Sequence, residues 1–138
     1  MFSIGALSER TGVKVPTIRY YEQMGLLPEP ERTAGNQRRY SKAGLERLGF
    51  IKHARDLGFA IEAIKSLIDL HSHPDKSCGE ATEIAQAQLT DVREKITRLQ
   101  RLERELTRIA TGCDGDGVAQ DCYVLSALSD HDLCATAH

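Results

Sequence analysis

Apolar residues recur at helical spacing through most of this chain, interrupted by short clusters of glycine, proline and asparagine. Ser3 caps a first short helix that turns Ile4, Ala6 and Leu7 inward and closes at Thr11-Gly12. Pro16 suits the first position of a second helix, Pro16 to Met24, because its missing N–H is not needed there, and Gly25 ends it. Two short helices joined by Gly12-Val13-Lys14-Val15 read as a helix-turn-helix, with Ile18 inward and Thr17, Arg19 and Tyr21 available to DNA. Pro28 and Pro30 mark a loop. Gly35-Asn36 closes a small hairpin ending in Gln37-Arg38-Arg39-Tyr40, which beside a helix-turn-helix is a wing.

Ser41 begins a third helix whose inward face is Leu45, Leu48, Ile51, Ala54 and Leu57, before Gly58 stops it. A fourth helix, about 60–70, aligns Ile61, Ile64, Leu67 and Ile68, and His71-Ser72-His73-Pro74-Asp75 breaks it. The longest helical segment follows, roughly 79–110, with no proline and no internal glycine after Gly79. Ala85, Leu89, Val92, Ile96, Leu99, Leu106 and Ile109 step by fours and threes at coiled-coil spacing, with Glu103 at one seam position beside Leu102. A small N-terminal domain has nothing large enough to cover such a stripe, so a second copy of the chain is the better cover than packing back on its own domain. The fold class is therefore mainly α. A winged helix-turn-helix domain with two following helices covers 1–75, a coiled-coil dimerisation helix 76–112, and a loop and C-terminal tail 113–138.

Charge sharpens this picture. The net charge of -2 conceals +3 over residues 1–70 and -5 over 71–138. Within 32–55, Arg32, Arg38, Arg39, Lys42, Arg47, Lys52 and Arg55 face only Glu46. A local excess of this size in an acidic protein reads either as a phosphate-binding surface or as a solvated basic face. No apolar run approaches the ~18 residues that span a bilayer, and Met1-Phe2-Ser3-Ile4 lacks the regions of a signal peptide, so a cytoplasmic chain without membrane partners is expected. There is no glycine-rich nucleotide motif and no Ser/His/Asp spacing of a triad, which speaks against an enzyme. In that compartment Cys78, Cys113, Cys122 and Cys134 stay reduced, so metal binding or redox sensing outranks a disulfide framework.

The order of these motifs resembles the MerR family of transcriptional regulators along nearly the whole chain. The residues carrying it are Ile4 to Val13, then Thr17-Ile18-Arg19-Tyr20-Tyr21-Glu22 with Gly25-Leu26-Leu27, Arg38-Arg39-Tyr40, and Ala54-Arg55-Asp56-Leu57-Gly58-Phe59. The resemblance implies a homodimer, paired through antiparallel long helices, that grips double-stranded promoter DNA with an overlong spacer between its -35 and -10 elements. Effector binding then distorts the DNA so that RNA polymerase uses both elements, which is control through DNA shape. It also implies that Arg19 and Tyr21 are recognition-helix contacts, Arg38 and Tyr40 wing contacts and Arg55 a phosphate contact, with Tyr20 packed inside. Arg39 and Lys14 read either as further contacts or as solvated charge.

The cysteines bear on what is sensed. Cys78 lies just before the long helix and Cys113 just after it, and 35 residues of straight helix separate them by about 50 Å. One chain cannot bring them to one ion. An antiparallel pair of helices sets Cys78 of one protomer beside Cys113 and Cys122 of the other, and the family resemblance implies the same shared site. Cys113 and Cys122 bracket a segment with Gly115 and Gly117 that can fold around an ion. Three thiolates favour divalent soft or borderline ions: Cd2+, Pb2+, Hg2+ or Zn2+. In the copper-sensing branch the position of Cys78 resembles a serine. Zinc sensors that resemble this chain add a loop cysteine and a histidine where Asp114 and Val118 stand, which speaks against a zinc pair of that kind. His131, Cys134 and His138 read as a frayed tail with incidental donors, or else as a secondary metal site; His71 and His73 stand near Cys78 as further nitrogen donors.

The function expected is a metal-sensing regulator that activates metal resistance or efflux. The alternative is a thiol-based redox or electrophile-responsive regulator of the same fold. A metal-buffering protein leaves the basic wing unexplained.

Overall fold

Helix α1, Ile4–Thr11, starts where Ser3 Oγ accepts the Ala6 N–H at 3.1 Å. It ends at Gly12, whose φ of 76° only glycine adopts freely and whose N–H closes the turn on the Ser8 carbonyl. The computed structural model describes residues 1–112 and 115–130 of the 138 in the chain. Helix α2, Val15–Gln23, carries Pro16 in its first turn. A two-stranded antiparallel sheet then pairs β1, Glu31–Arg32, with β2, Arg38–Arg39, in the register Glu31 with Arg39 and Arg32 with Arg38. Its turn spans 33–37. Asn36 takes the left-handed φ of 63°, while the Thr33 hydroxyl and carbonyl accept the Gln37 and Asn36 N–H groups. Phe2 and Tyr40 exchange two backbone hydrogen bonds of 2.8 Å, fastening the N-terminus to the end of the wing.

Helix α3, Lys42–Asp56, is capped by Ser41 and α4, Ile61–His71, begins after Ala60. Helix α5 runs 33 residues unbroken, Gly79–Thr111. A short 3-10 turn, Ala119–Asp121, leads into α6, Tyr123–Ser129. The chain divides into two units, one ending at Ala85 and the other beginning at Gln86.

The first unit is built around Leu7, Ile18, Leu26, Leu48, Ile51 and Ile64, all essentially inaccessible to solvent. Each contributes about 1.5–3 kcal/mol on burial, so this cluster holds α1 to α4 and the wing together. Leu57, expected on the inner face of α3, is instead exposed. It is the residue on which α3 ends, and the backbone turns away before completing the stripe.

In the second unit Ile109 and Ala127 are buried. Ile109 was expected in the intermolecular seam; it is covered within its own chain instead. Farther up the same stripe Leu89, Ile96, Leu99 and Leu106 are exposed, Leu99 by 63%. A run of large apolar side chains at this spacing on one helix is uncovered in the single chain.

Candidate nucleic-acid interface and thiol site

The 3.6-residue period of α2 decides which side chains can reach a ligand. Ile18 and Tyr21 lie three residues apart, share one face and are buried; Tyr20 falls nearly opposite Ile18 and is 46% exposed. This reverses the expectation that Tyr20 is core and Tyr21 faces DNA. Tyr21 keeps 7% of its surface exposed and belongs to the core. Arg19 is exposed and Thr17 half-buried on the same helix.

The wing brings a second correction. Tyr40 is only 2% exposed and its hydroxyl donates to Glu22 Oε1, so it is not a free wing contact. Arg38 donates from Nε to the other carboxylate oxygen, Oε2, at 3.1 Å. Glu22 thus ties the wing to the second helix through both oxygens. Burial, then the hydrogen bond and charge of Glu22, hold the Tyr40 hydroxyl well above the usual phenol range, while Arg38 and Arg19 pull the other way. Tyr40 stays a neutral donor at every physiological pH. Arg39 is half-buried and donates to the Arg38 carbonyl at 3.1 Å. Arg55 is exposed and donates to the Phe59 carbonyl at 2.9 Å, which fixes it at the turn between α3 and α4. A guanidinium has five N–H donors, so one such bond still leaves a fork for phosphate.

Glu22 was the functional residue that sequence reasoning passed over. It is the sole acid in α2, and an acid amid arginines is the available signal. Replacing Glu22 with alanine is expected to cost about 1.5–3 kcal/mol in urea unfolding, the range for hydrogen bonds to a charged group, and Glu22→Gln should cost less. Equal stability of wild type and Glu22→Ala would contradict the tie.

The thiols sit at helix boundaries. Cys78 is exposed and immediately precedes α5, where its carbonyl accepts from the N–H of Thr82 at 3.0 Å and from its hydroxyl at 3.1 Å. Cys122 is half-buried and immediately precedes α6; its N–H donates to the Ala119 carbonyl and its carbonyl accepts from Ser126. A thiolate is the form that a soft cation binds. The donor chemistry of Cys78 and Cys122 therefore fits such an ion. No group of three metal-ligating side chains comes together among the described residues of a single chain. Cys113 and the tail residues His131, Cys134 and His138 lie outside the described residues. His71, the last residue of α4, and His73 beyond it are otherwise engaged. The His71 ring stacks on Phe50 at 5.1 Å, and His73 Nδ1 lies 2.7 Å from the Asp69 carbonyl.

Beyond Cys122 the second unit holds a polar cluster that spacing did not reveal. Glu105, 6% exposed, accepts from Nε and Nη2 of Arg108, and Arg108 Nη1 donates to the Tyr123 hydroxyl. The bond to Glu105 chiefly holds the Arg108 guanidinium above its ordinary range, so it stays charged.

A wing locked by a carboxylate to the second helix of a helix-turn-helix makes this a winged helix-turn-helix DNA-binding protein. The MerR HTH family of regulatory proteins is matched over residues 2–70, and the MerR DNA-binding family over residues 45–109. The chain belongs to the MerR family of transcriptional regulators. It is 38% identical over 126 residues to the mercuric resistance operon regulatory protein of Serratia marcescens, covering 91% of this chain and 86% of that one. It is also 38% identical over 130 residues to the HTH-type transcriptional regulator ZntR of Escherichia coli K12, covering 93% and 92%. Among solved structures, the transcription regulator PbrR691 from Ralstonia metallidurans CH34 in complex with lead(II) superposes with a TM-score of 0.78 at 38% identity, over 93% of this chain and 99% of that one. Among the described residues no helix is long and apolar enough to cross a membrane.

Proposed function

We propose that the chain is a cytoplasmic, metal-responsive transcription regulator that binds promoter DNA as a homodimer and takes no part in enzymatic chemistry. The observation that carries it is the exposed apolar stripe of α5, with a thiol just before the helix and another following it. In this reading residues 1–75 bind DNA, 76–112 pair with a second copy, and 113–138 form the metal-binding loop and tail. Cys78 from the partner protomer joins Cys113 and Cys122 around one divalent soft ion, Pb2+, Cd2+, Hg2+ or Zn2+. Likeness to a mercuric resistance regulator and to a lead-bound regulator supports a metal effector over the redox use of the same thiols.

A bound soft ion would be held by the three thiols, and everything else is done by the chain. Arg19 and Thr17 on α2 face the DNA, joined by the exposed Tyr20. Arg38, Arg39 and Arg55 address the backbone, where guanidinium forks match phosphate oxygens. A change at the dimer interface reorients both DNA-binding domains, bends the promoter between them and lets RNA polymerase engage an overlong spacer.

The experiment is promoter binding across a salt series. Arg19→Ala should weaken operator affinity by about 1–3 kcal/mol if it reads a base edge, relaxing sequence preference. Arg55→Ala should weaken all sequences alike and shallow the salt slope by about one counterion. Unchanged affinity of both variants at every salt concentration would overturn the assigned face.

A further inference from the structure

The loop of residues 115–118, which leads into the 3-10 turn before Cys122, includes Gly115 and Gly117, the residue type that loses most conformational freedom on ordering. A thiolate at the end of such a loop binds weakly unless something else fixes it, because ordering the backbone costs about 1–2 kcal/mol per residue. The residue next to Cys122 is fixed. The Tyr123 hydroxyl accepts from Arg108, whose cation also lies 5.7 Å from the centre of the Tyr123 ring. Arg108 is itself gripped by the buried carboxylate of Glu105, one turn back on α5.

Gly112 completes the seat. A Cβ there would fall 2.8 Å from Tyr123 Cε1 and 2.9 Å from Cγ, closer than carbon atoms approach. Only glycine lets the ring lie against the end of α5. Gly112, at the end of α5, and Tyr123, at the start of α6, are thereby in close contact.

We propose that Tyr123, held by Arg108 and Glu105 and seated on Gly112, is the positioning residue that fixes the Cys122 thiol for the metal ion. The proposal rests on the metal reading above and adds to it the element that organises the loop. Its consequence is that the thiol reports to the last turns of α5, the helix that carries the exposed stripe. Such outer residues typically govern metal affinity without touching the ion.

Tyr123→Phe is the test, because it removes the hydroxyl while keeping the ring and the Glu105–Arg108 pair. Gly112→Ala is the second variant, displacing the ring with the hydroxyl intact. The first readout needs no metal: the rates of iodoacetamide alkylation at Cys122 and at Cys78 in the full-length reduced protein, resolved by peptide mass spectrometry. Tyr123→Phe should speed alkylation of Cys122 about tenfold or more, the factor that a lost hydrogen bond to a charged group supplies; Gly112→Ala should speed it as well, and both should leave Cys78 unchanged. The second readout is titration with Pb2+ in competition with a chromophoric chelator, following the thiolate-to-lead absorbance. Affinity should fall about tenfold or more.

An unchanged Cys122 rate, or equal acceleration of Cys78 through general loosening, would overturn the proposal. So would faster Cys122 alkylation with undiminished lead affinity. A wild-type protein that develops no thiolate-to-lead absorbance would overturn the metal reading instead, a failure visible separately from the alkylation rates.

Discussion

Ile96→Glu combined with Leu99→Glu is expected to yield monomers that no longer hold a two-half-site operator. Both side chains stand on the exposed stripe of α5, so neither change opens a cavity in the chain's own core, and glutamate is a good helix former. In the proposed dimer the loss is severe. Four apolar side chains, two from each protomer, forgo about 1.5–3 kcal/mol of burial each, and four carboxylates must then be desolvated or kept apart. At 1.4 kcal/mol per factor of ten, the dimer constant should fall on the order of a thousandfold or more. Sedimentation equilibrium checks the assembly, and circular dichroism checks that helicity survives. A double variant that sediments as a dimer would remove the seam from the account.

Cys78→Ser is the second large expectation. The exposed thiol is replaced by a hydroxyl of similar size, so metal-free folding and operator binding should be unchanged. Lead or cadmium affinity should fall by at least about a hundredfold, beyond the 10–100-fold typical of losing a residue that only supports a ligand. Promoter activation by metal should disappear with it. A Cys78→Ser protein that activates at the wild-type metal concentration would exclude this thiol as a ligand.

Much of the fold was legible because local chemistry and global packing agree. Ser3 and Ser41 cap helices and Gly12 closes one where its backbone preference predicts, while Pro16 stands in the first turn of α2, one residue after its start at Val15. The reversal at Tyr20 and Tyr21 has a different origin. Family resemblance placed Tyr20 inside, but with Ile18 buried the helical period leaves room inside only for Tyr21. Leu57 fits the stripe of α3 in spacing, yet the helix ends on it and the stripe goes no further. Tyr40 and Glu22 stand 18 residues apart, and no periodicity links positions on a wing and a helix; only the folded chain shows that the hydroxyl is spent on the carboxylate. The Glu105–Arg108–Tyr123 cluster was hidden for the same reason. Its acid and base look like an ordinary exposed helical pair until α6 returns to cover them. The thiol set was readable as chemistry, and its proposed assembly across two chains rests on helix length rather than on any motif.

The central claim, that metal is held by thiols from both protomers, is tested most directly in a mixed dimer. One chain carries Cys78→Ser and the other carries Cys113→Ser with Cys122→Ser, and the heterodimer is isolated through two different affinity tags. If ligands cross the interface, one of its two sites keeps all three thiols and the other keeps none. Titration with Pb2+ should then give thiolate-to-lead absorbance at one ion per dimer, with wild-type affinity, while neither parent homodimer gives a three-thiolate site. Loss of all high-affinity binding in the mixed dimer would contradict the shared site, and with it the route by which metal reaches the DNA-binding domains.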